Sequence, residues 1–560
     1  MSHNEFEIIF DADLYPVREL KAGSLNCLYE NGHLRLIKWG QMEILRMIYG
    51  AIRDECWETI LFTIENEVIE QQENSFRISY TASYHNLTIA YRADFLIEGK
   101  EDHTIFFSMK GKALSGFNRN RIGLCVLHPA SAYKGSTVTV RTAGGKVDQG
   151  LFPDLISPHQ LLKDIRQMDW ITRNNIKASL FFEGDIFETE DQRNWMDATY
   201  KTYSTDLALP IPVWVSQGDT MHQSVTLQII PPDLAEAQQK SDTSPWKKMP
   251  FPKIGYARNE ASGHLSDEEI VLLKKLPFDK YRVEIDFRIP DWRETLDVCI
   301  SEARQLHSRL ELVIFFTRSF ESEIKELLDQ IKGTEGLISG ILPLQPDDPV
   351  SPGFLLKYCY PLIKKAYPSI QVGYGTDAYF TELNRNRLVD APFDFVSFSC
   401  NPQVHAVDTR TILENPESLP DMLETIRSFT DKPIIISPVT FRMRRKTDIT
   451  NMQADAADYR QKQWFGAGWT LLCLYFAGGA DSILFYQTNG DKGVLDKVNQ
   501  SPLFKLLAGL KIFQTVWMQL KDEGHRKRIV FENGRQEIII FTLAAEYDSR
   551  YAGNGGPDTD

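Results

Sequence analysis

Up to about residue 230 the hydrophobic positions recur every second residue, the period of a strand with one buried face. Leu25–Glu30 and His33–Trp39 flank Asn31-Gly32, a dipeptide that suits a tight hairpin turn because both positions tolerate positive φ. Alternation returns in Phe76–Tyr84 and Leu87–Ile97, with Asn86 between them, and in Ile105–Met109, Thr137–Arg141 and Lys177–Phe182. One stretch, Pro158–Gln167, predicts a short helix instead. Many short strands with turn residues between them predict an antiparallel β-sandwich over residues 1–235.

A polar, proline-rich run ending at Pro250 predicts a linker at 236–250, and beyond it the rhythm changes. Strand-like runs now alternate with amphipathic helices, the pattern of parallel βα units. The strands are Lys253–Tyr256, Arg282–Phe287, Leu310–Phe316, Leu337–Leu344, Ile370–Tyr374, Phe393–Ser399, Pro433–Ser437 and Ser482–Tyr486. The helices include Asp267–Lys275, Glu294–Leu306, Ser319–Ile331, Phe354–Ala366, Pro420–Ser428 and Gln463–Ala477, and Pro502–Gln514 closes the ring. Ser266 before three acids reads as an N-cap. Eight units over residues 251–515 predict a (β/α)8 TIM barrel. No glycine-rich phosphate loop follows a strand, so a doubly wound open sheet fits less well. Arg528–Leu543 predicts two strands around Asn533-Gly534, within a C-terminal β appendage at 516–550. The last residues, 551–560, read as disordered.

Composition narrows the partners. A formal charge of −14 argues against nucleic acid or an anionic membrane, which call for a basic face. The first ten residues lack a signal-peptide pattern. The apolar stretch Trp469–Tyr486 is broken by Gly478, Gly479 and Asp481, so it does not predict a membrane span. Seven scattered cysteines form no CxxC pair and suggest a reduced, cytoplasmic protein. The sequence leaves oligomeric state open.

Catalytic side chains of such barrels come from the loops after the strands. Strand five ends at Tyr374 and leads through Asp377 to Glu382, Asn384, Arg385 and Arg387. Strand six leads to Asn401, Gln403 and His405, strand seven to Thr440, and strand eight to Gln487. A rim rich in amides suits a small polyhydroxylated ligand. Glu382 is the best-placed acid or base, although an ion pair with Arg385 or Arg387 would account for it equally. His405 has the ordinary pKa for proton transfer near neutrality, although lone histidines often serve structure. Asp377 is a candidate to orient it, and Asp286 with Arg288 reads as a barrel-floor ion pair. No GxSxG elbow, HEXXH or HxH run occurs, and neither metal nor cofactor is expected. The ends of strands four and seven carry Gln345 and Ser437-Pro438-Val439-Thr440 instead of a glycosidase's paired glutamates.

A second motif, Phe181 to Trp195, is followed by Asp197 and Lys201. Its Asp191, Arg193, Asn194 and Trp195 have two readings. They hold a sugar with the indole against its face, or they lock the sandwich onto the barrel through buried ion pairs.

Several long runs carry a resemblance. EDQRNWMDATYKTYSTDLALPIP, AYFTELNRNR, SCNPQVHAVDTRT, PIIISPVTFR and RQKQWFGAGWT resemble, in this order over about residues 20–510, the D-apionate lactonases. That resemblance implies an N-terminal β domain, a central barrel and a small C-terminal β domain, with hydrolysis of D-apionolactone to D-apionate. It also implies an acidic residue at 487, where this chain has Gln487. It carries over no catalytic residue. Lactone hydrolysis is acyl transfer to water, so Glu382 and His405 are expected as base and acid, in either order, with Asn401 or Arg385 stabilising the oxyanion. Asp191, Arg193, Asn194, Trp195, Tyr374, Asn384, Gln403, Thr440 and Gln487 are expected around the substrate. The alternatives are a glycoside hydrolase pairing Glu382 with Glu188 or Asp191, and a non-catalytic sugar-binding protein.

Overall fold

The computed structural model describes residues 4–544 except 10–14, 173–174, 231–246, 389, 445–456, 496–500, 514–515, 523–525 and 534–537. The expectation of disorder at 551–560 lies outside these, as does most of the expected linker.

From Val17 to Ile230 the chain forms a 17-stranded antiparallel β domain around one apolar core. Alternation sets its register. In Ala90–Gly99, Tyr91, Ala93, Phe95 and Ile97 are all buried, with Arg92 and Asp94 between them on the other face. Asn31 and Gly32 both take positive φ and turn Leu25–Glu30 into His33–Trp39. The expected helix at Pro158–Gln167 is absent, because Leu162–Ile171 is a strand. A register shift between Leu162 and Ile165, with Asp164 at φ 56°, spaces buried residues by three and imitates a helical period.

The second domain is a closed, parallel eight-stranded barrel. Its strands are β1 (Lys253–Ala257), β2 (Lys280–Asp286), β3 (Arg309–Phe315), β4 (Ile338–Leu344), β5 (Gln371–Tyr379), β6 (Phe395–Cys400), β7 (Ile434–Val439) and β8 (Ser482–Gln487). The outer helices include α1 (Asp267–Leu273), α2 (Trp292–Leu306), α3 (Phe320–Gln330) and α4 (Gly353–Ala366). After β5 and β6 come α5 (Phe380–Arg385), α6 (Thr409–Glu414) and α7 (Leu419–Arg427), and the ring ends with α8 (Trp464–Phe476) and α9 (Pro502–Phe513). The apolar helix α8 is buried along nearly its whole length, which is why its sequence resembles a membrane segment without being one. Among the described residues no helix is long and apolar enough to cross a membrane.

A five-stranded sheet takes strands from three parts of the chain. Trp517–Asp522, Arg526–Glu532 and Ile538–Ala544 form its centre. Asn4–Ile9 adds in parallel to Ile538–Ala544, and Lys247–Pro250 adds antiparallel to Trp517–Asp522. The appendage expected at 516–550 is thus completed by pieces assigned from sequence to the β domain and the linker. Edge pairing between distant strands leaves no local periodicity to reveal it.

Candidate active site

A cavity of about 730 Å³ opens at the C-terminal ends of β1, β2, β3, β7 and β8. Residues 282, 284 and 286 of β2 share a face by the strand period, and all three line it. Beneath it lies a buried charge network. Arg282 donates to Glu284 at 3.0 Å, to Asp377 and to the Ser437 carbonyl at 3.2 Å. Arg444 donates to Asp377 at 3.0 Å and to Glu284, and Ser437 donates to Glu311 at 2.7 Å. The carboxylates answer the desolvation of the guanidinium groups and fix their direction. Asp377 therefore belongs to this floor rather than to His405. Gly375 brings β5 close enough to β6 for this placement, since a Cβ there would lie 2.0 Å from the Ser397 carbonyl oxygen. Asp286 and Arg288 do pair, at 2.6 Å, but at the rim of the mouth.

Arg442 and Met443 also line a second space, of about 300 Å³, between the barrel and the β domain. Its other walls include Arg53, Trp57 and Glu58 from the β domain and Gln403 and His405 from the barrel. His405 is held on three sides. Its Nδ1 lies 2.6 Å from Asp197 Oδ2, the Trp195 ring meets it edge-on at 5.3 Å, and Arg53 donates to its backbone carbonyl at 3.2 Å. Burial, with the nearby cations Lys201 and Arg53, holds the imidazole well below its usual range, so it is neutral at pH 7. Burial pushes the Asp197 carboxyl up to about 7, against the pull of Lys201 and Arg53.

Family models for the D-apionate lactonase N-terminal domain and for its TIM barrel domain match residues 8–232 and 254–514. The chain belongs to the D-apionate lactonase family. A D-apionate lactonase from Brucella anthropi is 30% identical over 461 residues, covering 77% of this chain and 75% of that one. The enzyme is accordingly a lactone hydrolase. Among solved structures, an endo-β-1,4-mannanase from Thermotoga petrophila is 12% identical, with a TM-score of 0.34 over 52% of this chain and 91% of that one. An α-galactosidase from Lactobacillus brevis is 8% identical, with a TM-score of 0.27 over 92% and 89%. Likenesses this distant say nothing about chemistry.

Within this lactonase-family scaffold the residues expected at the site separate into groups. Thr440 and Gln487 line the large cavity, and Gln403 and His405 line the smaller space. Arg193 is fully buried and spends its side-chain N–H groups on Asp191, Asp421 and the carbonyls of Pro153 and Asp154. Asn194 bonds the Ser157 carbonyl and receives Asn384 at 3.0 Å. Asp191, Arg193, Asn194 and Asn384 thus bolt the β domain to α5 and α7, which is the second reading of that motif. Trp195 lies between His405 and the Arg385 guanidinium, which is 5.4 Å from its ring. Tyr374 is buried and donates to the Asn386 carbonyl.

Glu382 sits in the first turn of α5, and Asn401 follows β6. Neither lines either space. Burial holds the Glu382 carboxyl above its ordinary range. The acids available for a glycosidase pair, Glu188 and Asp191, are enclosed in the β domain by Tyr203 and Arg193. Sequence reasoning did not select Arg53, Trp57, Arg282, Glu284 or Arg444. The alternation Arg282-Val283-Glu284-Ile285-Asp286 was the available signal, since polar residues on the inner face of a barrel strand stand out against an apolar norm.

Proposed function

We propose that this enzyme hydrolyses D-apionolactone to D-apionate at the barrel mouth, with His405 and Glu382 as the groups that move protons. The relative from Brucella anthropi supports the substrate. The observation that carries the site is the imidazole of His405, fixed at its Nδ1 by Asp197 and lining a space that shares Arg442 and Met443 with the barrel-mouth cavity. Water attacks the lactone carbonyl as a base takes its proton. The tetrahedral oxyanion then collapses, the ring C–O bond breaks, and an acid protonates the departing alkoxide. A neutral histidine suits the first transfer, and Glu382, whose carboxyl burial raises above its ordinary range, is proposed for the second. Arg385, over the Trp195 ring that meets His405, is proposed as the oxyanion donor, with Thr440, Gln403 and Gln487 holding hydroxyl groups.

Acid release from D-apionolactone in weak buffer tests this reading, with a no-enzyme control because lactones open spontaneously. The wild-type rate is expected well above the control, and Glu382→Gln is expected to lower kcat about tenfold or more. Near-normal turnover by that variant would leave both proton steps with His405. No release by the wild type, across a panel of sugar γ- and δ-lactones, would sink the proposal.

A further inference from the structure

We infer that Asp197 of the β domain is the positioning residue that makes His405 of the barrel a general base, so that the active site is assembled from two domains. The inference rests on the lactone hydrolysis proposed above and fixes the direction in which His405 moves its proton.

Asp197 follows Met196, whose φ of 72° turns the chain out of the short helix Gln192–Trp195 and into the strand Thr199–Tyr203. The turn aims the carboxylate across the domain boundary. Oδ2 meets His405 Nδ1 at 2.6 Å, and Oδ1 accepts from Asn415 at 3.3 Å. Asn415 also donates to the Pro402 carbonyl at 2.7 Å, so one amide sets both the carboxylate and the loop that carries the histidine. An ionised carboxylate at Nδ1 requires the proton on that nitrogen, which leaves Nε2 as an acceptor. Among the described residues no hydrogen bond engages Nε2, and the His405 side chain retains 14% exposure beside the smaller space. An acceptor with a fixed lone pair, reachable by solvent and backed by a buried acid, is the arrangement that takes a proton from water.

The surrounding charges favour the same state. Lys201 and Arg53 face both Asp197 and His405, and they oppose a second positive charge on the imidazole. Arg121 acts in the same sense on His405, Glu190 acts against it, and Asp408 opposes ionisation of Asp197. When Asp197 takes up a proton, its new O–H donates to Nδ1. The imidazole proton then moves to Nε2 and the base is lost. Activity therefore rises with pH through about 7, the value to which burial pushes Asp197.

The test compares wild type with Asp197→Asn and His405→Gln on D-apionolactone, recording kcat/KM against pH and the proton NMR of the imidazole. In Asp197→Asn the new side-chain amide donates to Nδ1 and enforces the wrong tautomer, so kcat is expected to fall about 100-fold or more with KM little changed. The acid limb near pH 7 should vanish in the same variant. The far-downfield signal of a histidine proton shared with a carboxylate should be present in wild type and absent from both variants. Asp197→Glu, which restores a carboxylate, should recover part of the rate if the variant melts like wild type. An Asp197→Asn enzyme within about threefold of wild type, with an unchanged pH profile, would overturn the inference while leaving the lactonase reading intact. Inactive wild type would instead remove the reading beneath it.

Discussion

At the scale of single residues, burying a carboxyl for catalysis carries a cost in stability. Asp197 exchanges hydration for Asn415 and His405, and burial is the largest influence on its acidity, raising it to about 7. Its unfolded value is about 3.9. A carboxyl raised in this way contributes most stability below its unfolded value, while protonated, and loses that contribution as pH rises through about 7. Asparagine has the same shape and no charge to bury. Asp197→Asn is therefore expected to match wild type near pH 4 and to be more stable by roughly 1–3 kcal/mol at pH 8, by urea unfolding. A variant less stable than wild type at pH 8 would mean that the ionised pair more than offsets its desolvation.

Elements show what a local pattern reveals. Ser266 accepts from the Glu269 N–H at 3.2 Å while the Glu269 carboxylate accepts from the Ser266 N–H at 2.8 Å. This reciprocal cap was readable because all its parts lie within four consecutive residues. Ser266→Ala is expected to cost about 1 kcal/mol in denaturant unfolding without changing turnover, since α1 lies outside the two spaces. The eight barrel strands were equally readable, each within a few residues of its observed span, because burial on both faces leaves short apolar runs between polar turns. The bulge at Leu162–Ile165 imitated a helix, because a two-residue period with one insertion passes through a spacing of three. The site was less legible. His405 was selected by its place after a strand, but its partner Asp197 is 208 residues away. No spacing rule connects residues that meet only when two domains dock.

The docking surface gives the whole molecule its last testable consequence. Arg35 of the β domain is buried and bonds Asp408 at 3.0 Å, Thr411 at 3.1 Å and Glu414 at 3.3 Å. Arg46 joins Glu414 at 3.1 Å, and Arg410 of the barrel returns to Glu30 at 3.2 Å. Asp408 also caps α6 through the Thr411 N–H. The guanidinium neighbours hold the Asp408 and Glu414 carboxyls below their ordinary range, so their contribution is present at neutral pH and lost as pH falls through those lowered values. The segment from Asn401 to Asn415 carries His405, and it is fastened to the β domain at Asp197, Arg53 and Arg35. Replacing Arg35 with Met keeps much of the volume but leaves two acids short of a buried partner. A loss of about 3–5 kcal/mol is expected in denaturant unfolding. If the β domain positions the catalytic loop, kcat for the lactone should also fall, because the chemistry depends on where that loop holds His405. A folded Arg35→Met enzyme with wild-type kcat would show that Asp197 and Arg53 hold the loop without this anchor.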